Sequence, residues 1–384
     1  MNQSLRNSSD WFAGFLKDTP SFLKHTLYDK WLVTGLYVVS IFSALAVSAL
    51  LIWATDGSWR SVFSAMLDGS LSNPGRWGAT IGESTPLLLV ALGTIISVRA
   101  GLINIGQEGQ LLIGAAVTTF IAVRIDHPGP LILTLALLGG LLAGALWAWI
   151  AAGLKYWRRV PEVLTTLLLV TVAAQLVGYS LKTTTLLLDR SPDHANRNQV
   201  SDKIPANIRI PRLTIFGNEF PLSALVAMAL AVVLAIWLVR TATGFRLRML
   251  GMNQKVAHRV GVSAVKYGMA AMAVSGGLAG LAGAMMITGG DFGSYTFTAG
   301  FSSFIGWEGL LVALVARNHP LAAIPMAFIF GSLRTGSGFL AATGVEREIS
   351  NVVQALIVLA LLLPPAVLYA RERRKLLATV KART

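Results

Sequence analysis

From Leu222 to Val239 the chain carries no charged side chain, and the run stops at Arg240. A helix needs about 20 consecutive apolar residues to cross a hydrocarbon core about 30 Å thick, so a run of this kind points to a bilayer rather than a soluble core. Comparable runs recur near residues 32–54, 86–98, 103–123, 131–153, 163–181, 221–239, 268–288, 302–316, 320–333 and 350–369. With 54% of residues hydrophobic and 13% charged, the whole chain shares this bias. The expected fold class is all-α, a polytopic transmembrane helical bundle of about 8–10 spans. The segments 86–98, 302–316 and 320–333 fall short of a full crossing, so tilted, broken or re-entrant helices are expected there.

Three parts follow along the chain. Residues 1–30 form a polar N-terminal segment in which Trp11, Phe12, Phe15 and Leu16 share one face of a short helix lying on the membrane. Residues 31–370 form the membrane domain. Its first span, Leu32–Ala54, is longer than a signal-peptide core and lacks a small-x-small cleavage site, so it is expected to be retained. Residues 371–384 form a basic tail containing Arg371, Arg373, Arg374, Lys375, Lys381 and Arg383.

The net charge of +14 follows topology. If the N-terminus is cytoplasmic, most Lys and Arg lie on the cytoplasmic side, including Lys155, Arg158, Arg159 and the tail; many of the remainder sit in one long loop, which crosses regardless of charge. The charge is thereby explained without nucleic acid. That loop, 183–220, is expected outside, either to receive a soluble partner or as a plain connection. Gly140 with Gly144, and Gly276 with Gly280, are small-x-x-x-small pairs expected to bring helices close within the chain. There is no cysteine, and His25, His127, His194, His258 and His319 form no metal-ligand spacing.

Three segments concentrate polarity where it is costly. Arg99-Ala-Gly-Leu-Ile-Asn-Ile-Gly-Gln-Glu-Gly-Gln110 places Asn104, Gln107, Glu108 and Gln110 in or beside the membrane among glycines. Such groups either knot two helices together or border the solute path. Arg240–Lys266 holds six basic residues and no acidic one. A short amphipathic helix bounded by Gly251 and Gly261, with Val256, Ala257 and Val260 on one face, either seats in the groove of a partner or touches anionic lipid. Gly306–Pro320 contains Trp307 and Glu308: the carboxylate is functional or paired with a base, and the aromatic stacks on a ring-shaped solute or simply packs.

The first segment, with Pro86–Gly93 before it, resembles the signature of permease subunits in the branched-chain amino acid, simple sugar and nucleoside branch of ABC importers, and is most similar to the nucleoside permeases that work with lipoprotein-type binding proteins. The second resembles the family's coupling region, which docks on the cytoplasmic ATPase. Gly244, Arg246, Arg248, Gly251, Asn253, Ala257 and Gly261 match it, while Met249 stands where a small residue is usual and His258 where alanine often stands. The third segment is similar to a further family motif but departs at Trp307, Glu308 and Ala316. The resemblance spans about residues 80–365.

What it implies is a permease subunit that moves a small polar solute, of nucleoside, purine or sugar type, by alternating access in a bacterial inner membrane. Its implied partners are a cytoplasmic ABC ATPase, a second permease subunit (a similar chain or a copy), an extracytoplasmic substrate-binding protein and the bilayer. The chain has no Gly-Lys dipeptide and so no phosphate-cradling loop. It is therefore not expected to be an enzyme or to bind a cofactor itself; ATP and Mg belong to the partner ATPase. An ion-coupled carrier is the competing reading, with Glu83, Glu108, Asp291 and Glu308 as its carboxylates, though it has no need of a basic coupling loop. A membrane-embedded enzyme lacks a nucleophile signature.

Overall fold

The computed structural model describes residues 35–36, 38–40, 42–54, 58–125, 128–190, 199–290 and 295–339, with scattered helical positions from 352 to 371. The expected helix of residues 1–30, His25, His127, His194, Asp291 and, in the tail, Arg373, Arg374, Lys375, Lys381 and Arg383 lie outside the described residues.

Two compact units divide the chain. One comprises Met1–Trp59 and Arg347–Thr384; apart from Ser58 its described positions are helical, with α1 running over Val38–Ala54. The other, Arg60–Glu346, contains α2 (Trp59–Leu67) from its second residue on, then α3 (Arg76–Arg99), α4 (Gln107–Arg124), α5 (Gly129–Arg158), α6 (Glu162–Ser180), β1 (Arg212–Ile215), β2 (Asn218–Pro221), α7 (Leu222–Arg240), α8 (Ala242–Met252), α9 (Gln254–Arg259), α10 (Ala264–Gly289), α11 (Ile305–Val315) and α12 (Pro320–Ser337). The apolar segments read from sequence fall on α1, α3 to α7, α10 to α12 and the positions between 352 and 371. Among the described residues, α3, α5, α6, α7 and α10 are long and apolar enough to cross a membrane.

Helices α3 and α10 are central, with 83% of their apolar windows buried, against 28% for α5, 22% for α6 and 33% for α7. The ring is built inside out relative to a soluble protein. On α5, Ile132, Ala136, Gly140, Gly144 and Ala148 recur every fourth residue on the buried face, while Leu131, Leu135, Leu138, Leu142 and Leu146 point outward. Lipid tails offer leucine the same surroundings as a core, so close van der Waals contact between backbones holds the helices together. The two glycine pairs meet each other: a Cβ on Gly144 would lie 2.8 Å from the Gly280 Cα, and one on Gly276 would strike the Gly144 carbonyl oxygen. Gly114 of α4 joins the same seam against Gly280.

The segment 86–98 is not short after all. It is the second half of α3, a 24-residue helix about 36 Å long. Its first half is polar, and polarity hid it from an apolar reading. Thr85 returns its hydroxyl to the Ile81 carbonyl at 2.8 Å, Ser84 bonds Thr80, and Glu83 meets an arginine described below. Segment 302–316 does contain a half-length helix, the 11-residue α11, about 16 Å long.

Between α6 and α7, Arg124 ties together the described parts of the long connection, 181–190 and 199–221. Its guanidinium donates to Asp202 at 2.7 Å and to the carbonyls of Leu186 at 3.0 Å, Thr184 at 3.1 Å and Leu188 at 3.3 Å. The connection ends in the β1–β2 hairpin, turned by Phe216 and Gly217, both with left-handed backbone, as the twist of a two-residue hairpin turn requires. Phe216 is fully exposed at its tip.

Candidate functional site

Helix α3 serves as a ruler through the bundle. At its first end Gly78 packs on the backbone of Glu219 in β2; at its last, Arg99 reaches the loop before α12, donating to the Asn318 carbonyl from Nε at 3.2 Å and Nη2 at 2.9 Å. Glu83 lies about 10 Å along, and Val90 about 21 Å along.

Beside Val90 is the polar knot. Asn104 and Gln110 exchange amide hydrogen bonds at 2.9 and 3.0 Å, and Asn104 Nδ2 also donates to Ser275 Oγ of α10 at 2.9 Å. Gln107 donates to the Val90 carbonyl at 3.0 Å and accepts from the Thr94 hydroxyl at 2.6 Å. Asn104, Gln107 and Gln110 are at most 1% exposed, so their side chains are spent on one another and on α3 and α10. The structure thus brings these three together and ties α3, α4 and α10 at mid-depth.

Glu108 faces the other way. One carboxylate oxygen accepts the Gly306 backbone N–H at 2.7 Å and the other accepts the Ser302 hydroxyl. The acid therefore sits at the N-terminus of α11, where unsatisfied backbone donors and the helix dipole favour a negative charge. A Cβ on Gly306 would strike the Glu108 backbone, so only glycine permits this approach. The turn entering α11 holds Ser303 and Phe304 in left-handed conformation, and Phe304 is 71% exposed.

A charged cluster lies next to it. Arg334 of α12 donates to Glu83 of α3 at 2.9 Å and to Glu308 of α11 at 3.1 Å, with a third bond to the Ser303 carbonyl at 3.2 Å. All three side chains are less than a fifth exposed. Glu308 is therefore paired with a base, and Trp307 stands half-buried beside it in the chain. Two carboxylates named for an ion-coupled carrier, Glu83 and Glu308, are held by a guanidinium, and Glu108 is held by Ser302 and Gly306. Arg334, Ser302, Ser275 and Thr94 were missed from sequence. The available signal was Arg334 itself, a lone cation in an apolar helix that needs a carboxylate from another segment.

At the far end of α3 the segment 240–266 folds into an elbow of two helices: α9 is the short helix expected between Gly251 and Gly261, and α8 precedes it. Thr241 caps α8 by accepting the Gly244 N–H at 3.0 Å; Asn253 ends α8 and caps α9, accepting from Lys255 N at 3.0 Å and Val256 N at 3.1 Å. Gly261, with φ of 82°, lets the chain leave α9. Gly244 packs on the backbone of Trp237 and Leu238. Ala257 is buried with Leu250 and Val262 in a small core of the elbow, whereas Val256 and Val260 remain exposed. Arg246 is exposed and reaches the Tyr267 hydroxyl at 3.2 Å; Arg248 is half-buried, its Nε without a partner. Gly251 rests on the turn after α3: a Cβ there would strike the Arg99 carbonyl oxygen and lie 2.9 Å from Gly101 N. The elbow and the α3–α4 turn therefore meet backbone to backbone.

Comparison with known proteins places this architecture. The family model described as branched-chain amino acid transport system / permease component matches residues 78–362. The guanosine ABC transporter permease protein NupP of Bacillus subtilis is 30% identical over 84% of this chain and 91% of its own. The glucose ABC transporter permease protein TsgB13 of Haloferax volcanii is 30% identical over 86% and 88%, and the nucleoside ABC transporter permease protein NupB of Lactococcus lactis 28% over 73% and 77%. No solved structure matches the chain. A permease component works in general with an ATPase and a substrate-binding protein. With its apolar helices, its three signature segments and a family match over most of its length, the chain belongs to the branched-chain amino acid transport system / permease component family, as a multi-pass permease of the ABC importer type.

Proposed function

We propose that this permease carries a nucleoside or a related ring-shaped solute across a bacterial inner membrane, with the α8–α9 elbow facing the cytoplasm and docked on the ATPase. The β1–β2 end then faces outward, toward a substrate-binding protein, and a second permease subunit, similar or identical, closes the path. ATP and Mg are bound and spent on the ATPase.

The observation that carries this reading is α11, a half-helix that begins partway along α3 rather than at either end. Broken helices whose first turn lies at mid-depth are how transporters present backbone dipoles and polar groups to a solute without exposing a strand of unsatisfied backbone to lipid. At that first turn are Phe304, Trp307 and Glu308. An aromatic pair with a carboxylate close by suits a flat, hydrogen-bonding ring, and relatives named for guanosine and nucleosides support that choice over a sugar. Asn104, Gln107 and Gln110 have a supporting part, fixing the floor on which Glu108 holds α11.

Coupling begins at Arg246 and the exposed apolar residues Phe245, Met252, Val256 and Val260. A partner that seats these anchors moves α8 and α9 together, because Asn253 and the Ala257 core lock the two helices into one body. Gly251, the welded contact, passes that motion to the Arg99–Gly101 turn. Arg99 passes it on to Asn318, between α11 and α12.

Proteoliposomes containing the permease, its ATPase and its binding protein test the reading. Labelled guanosine is expected to accumulate with ATP, and Trp307→Ala is expected to reduce accumulation at least about tenfold while the assembly stays intact, the loss of one aromatic stack with its burial. Unchanged guanosine uptake in Trp307→Ala would remove the α11 mouth from the path, and preferred uptake of glucose would replace the solute class.

A further inference from the structure

At the elbow end of the bundle, α7, α8, α12 and the last turn of α3 enclose a cavity of about 260 Å³. Its walls divide by chemistry. Ile236 and Val239 of α7 and Leu321 of α12 supply an apolar side that opens outward, since all three are themselves exposed on the bundle surface. Arg99, Arg240 and Arg248, from three different elements, also line it. Arg99 uses two of its donors on the Asn318 carbonyl; among the described residues no carboxylate pairs with any of the three, and the buried Nε of Arg248 has no acceptor. Three arginines lining a largely apolar cavity, one of them with a buried donor that has no protein acceptor, suit an anion that carries an apolar part.

We infer that this cavity binds the headgroup phosphate of an anionic phospholipid, whose acyl chains run out along Ile236, Val239 and Leu321. Charge and position choose the occupant. A free phosphate leaves the apolar wall in contact with water, and a neutral lipid leaves the guanidinium cluster uncompensated. The volume is below the roughly 300 Å³ of ordinary small-molecule pockets, which fits a headgroup better than a whole solute. The ends of α3 and α7 bring the arginines to the depth of the headgroups, and basic pockets between transmembrane helices at that level are where anionic lipids are held. Arg248 lies on the elbow and Arg99 on the turn that Gly251 touches, so the lipid bridges the moving part to the membrane core.

The test is native mass spectrometry of the full chain, delipidated in detergent and titrated separately with phosphatidylglycerol, phosphatidylcholine and inorganic phosphate. One phosphatidylglycerol is expected to bind at least about tenfold more tightly than phosphatidylcholine, with inorganic phosphate failing to displace it. Arg240→Gln/Arg248→Gln is expected to weaken it about tenfold, while Arg240→Lys/Arg248→Lys and the distant Lys255→Gln/Lys266→Gln retain it. Should the glutamine variant fail to fold, the lipid preference and the lysine variant still decide. Equal binding of phosphatidylcholine, displacement by inorganic phosphate, or equal loss in the Lys255→Gln/Lys266→Gln variant would overturn the inference.

Discussion

Helices α5 and α3 are both long and apolar enough to cross a membrane, yet they do opposite work. The first is the more apolar, with mean hydropathy 2.2 against 1.7, and the less buried. α7 has the highest hydropathy, 2.8, and a third of its window buried. The comparison teaches that the two most apolar helices, α5 and α7, lie outside while the buried α3 can carry polar groups; mean hydropathy alone does not separate the two kinds, since α6 has the 1.7 of α3 and is only 22% buried. α5 touches its neighbours through glycine and alanine and makes few polar contacts; α3 carries Glu83, Thr94 and the Val90 carbonyl to bonds with α12 and α4. One helix is a wall and the other is machinery.

That contrast breaks most sharply at Arg334. Arg334→Gln leaves Glu83 and Glu308 side by side without their guanidinium, and a loss of about 3–5 kcal/mol is expected, read as a fallen midpoint in a detergent thermal melt. Adding Glu83→Gln and Glu308→Gln is expected to recover most of that loss. If the single change is neutral, the cluster is not holding α3, α11 and α12 together.

On the wall side, Gly280→Leu inserts a side chain where the backbones of α4 and α5 already touch. The same melt is expected to show a loss of about 1–3 kcal/mol or more. A comparable but distinct effect belongs to the knot. Asn104→Ala leaves Gln110 and Ser275 each short of a buried partner and is expected to cost about 1–3 kcal/mol. The smallest effect is on the outward face of α5, where Leu142→Ala is expected to stay within about 0.5 kcal/mol; a large loss there would mean that another chain covers this face.

Much of the wall was legible in the sequence, because its two rules are local: uncharged runs of membrane length, and glycines four apart. Gly140, Gly144, Gly276 and Gly280 were readable as close-packing pairs, although only the structure shows that the two pairs pack on each other. The machinery was legible in its parts and not in its partners. The residues from Asn104 to Gln110 stood out as polarity at membrane depth, but the alternatives of knot and path border differ only in what lies across from them, here Ser275 and Thr94. The polar first half of α3 was invisible because its justification, Arg334, lies 251 residues away. In the elbow, Val256, Ala257 and Val260 looked like one apolar face; the small core with Leu250 and Val262 buries only the alanine.

The link between elbow and machinery is the central claim, and Gly251 is where it is thinnest. The most direct measurement is the amount of solute accumulated per ATP hydrolysed in proteoliposomes holding permease, ATPase and binding protein, with Gly251→Leu compared to wild type. The account predicts that the ATPase still assembles and hydrolyses ATP while uptake falls at least about tenfold, since the new side chain pries the elbow from the Arg99–Gly101 turn. Uptake and hydrolysis both unchanged in Gly251→Leu would contradict it, because motion of the elbow would then reach the path by some other contact.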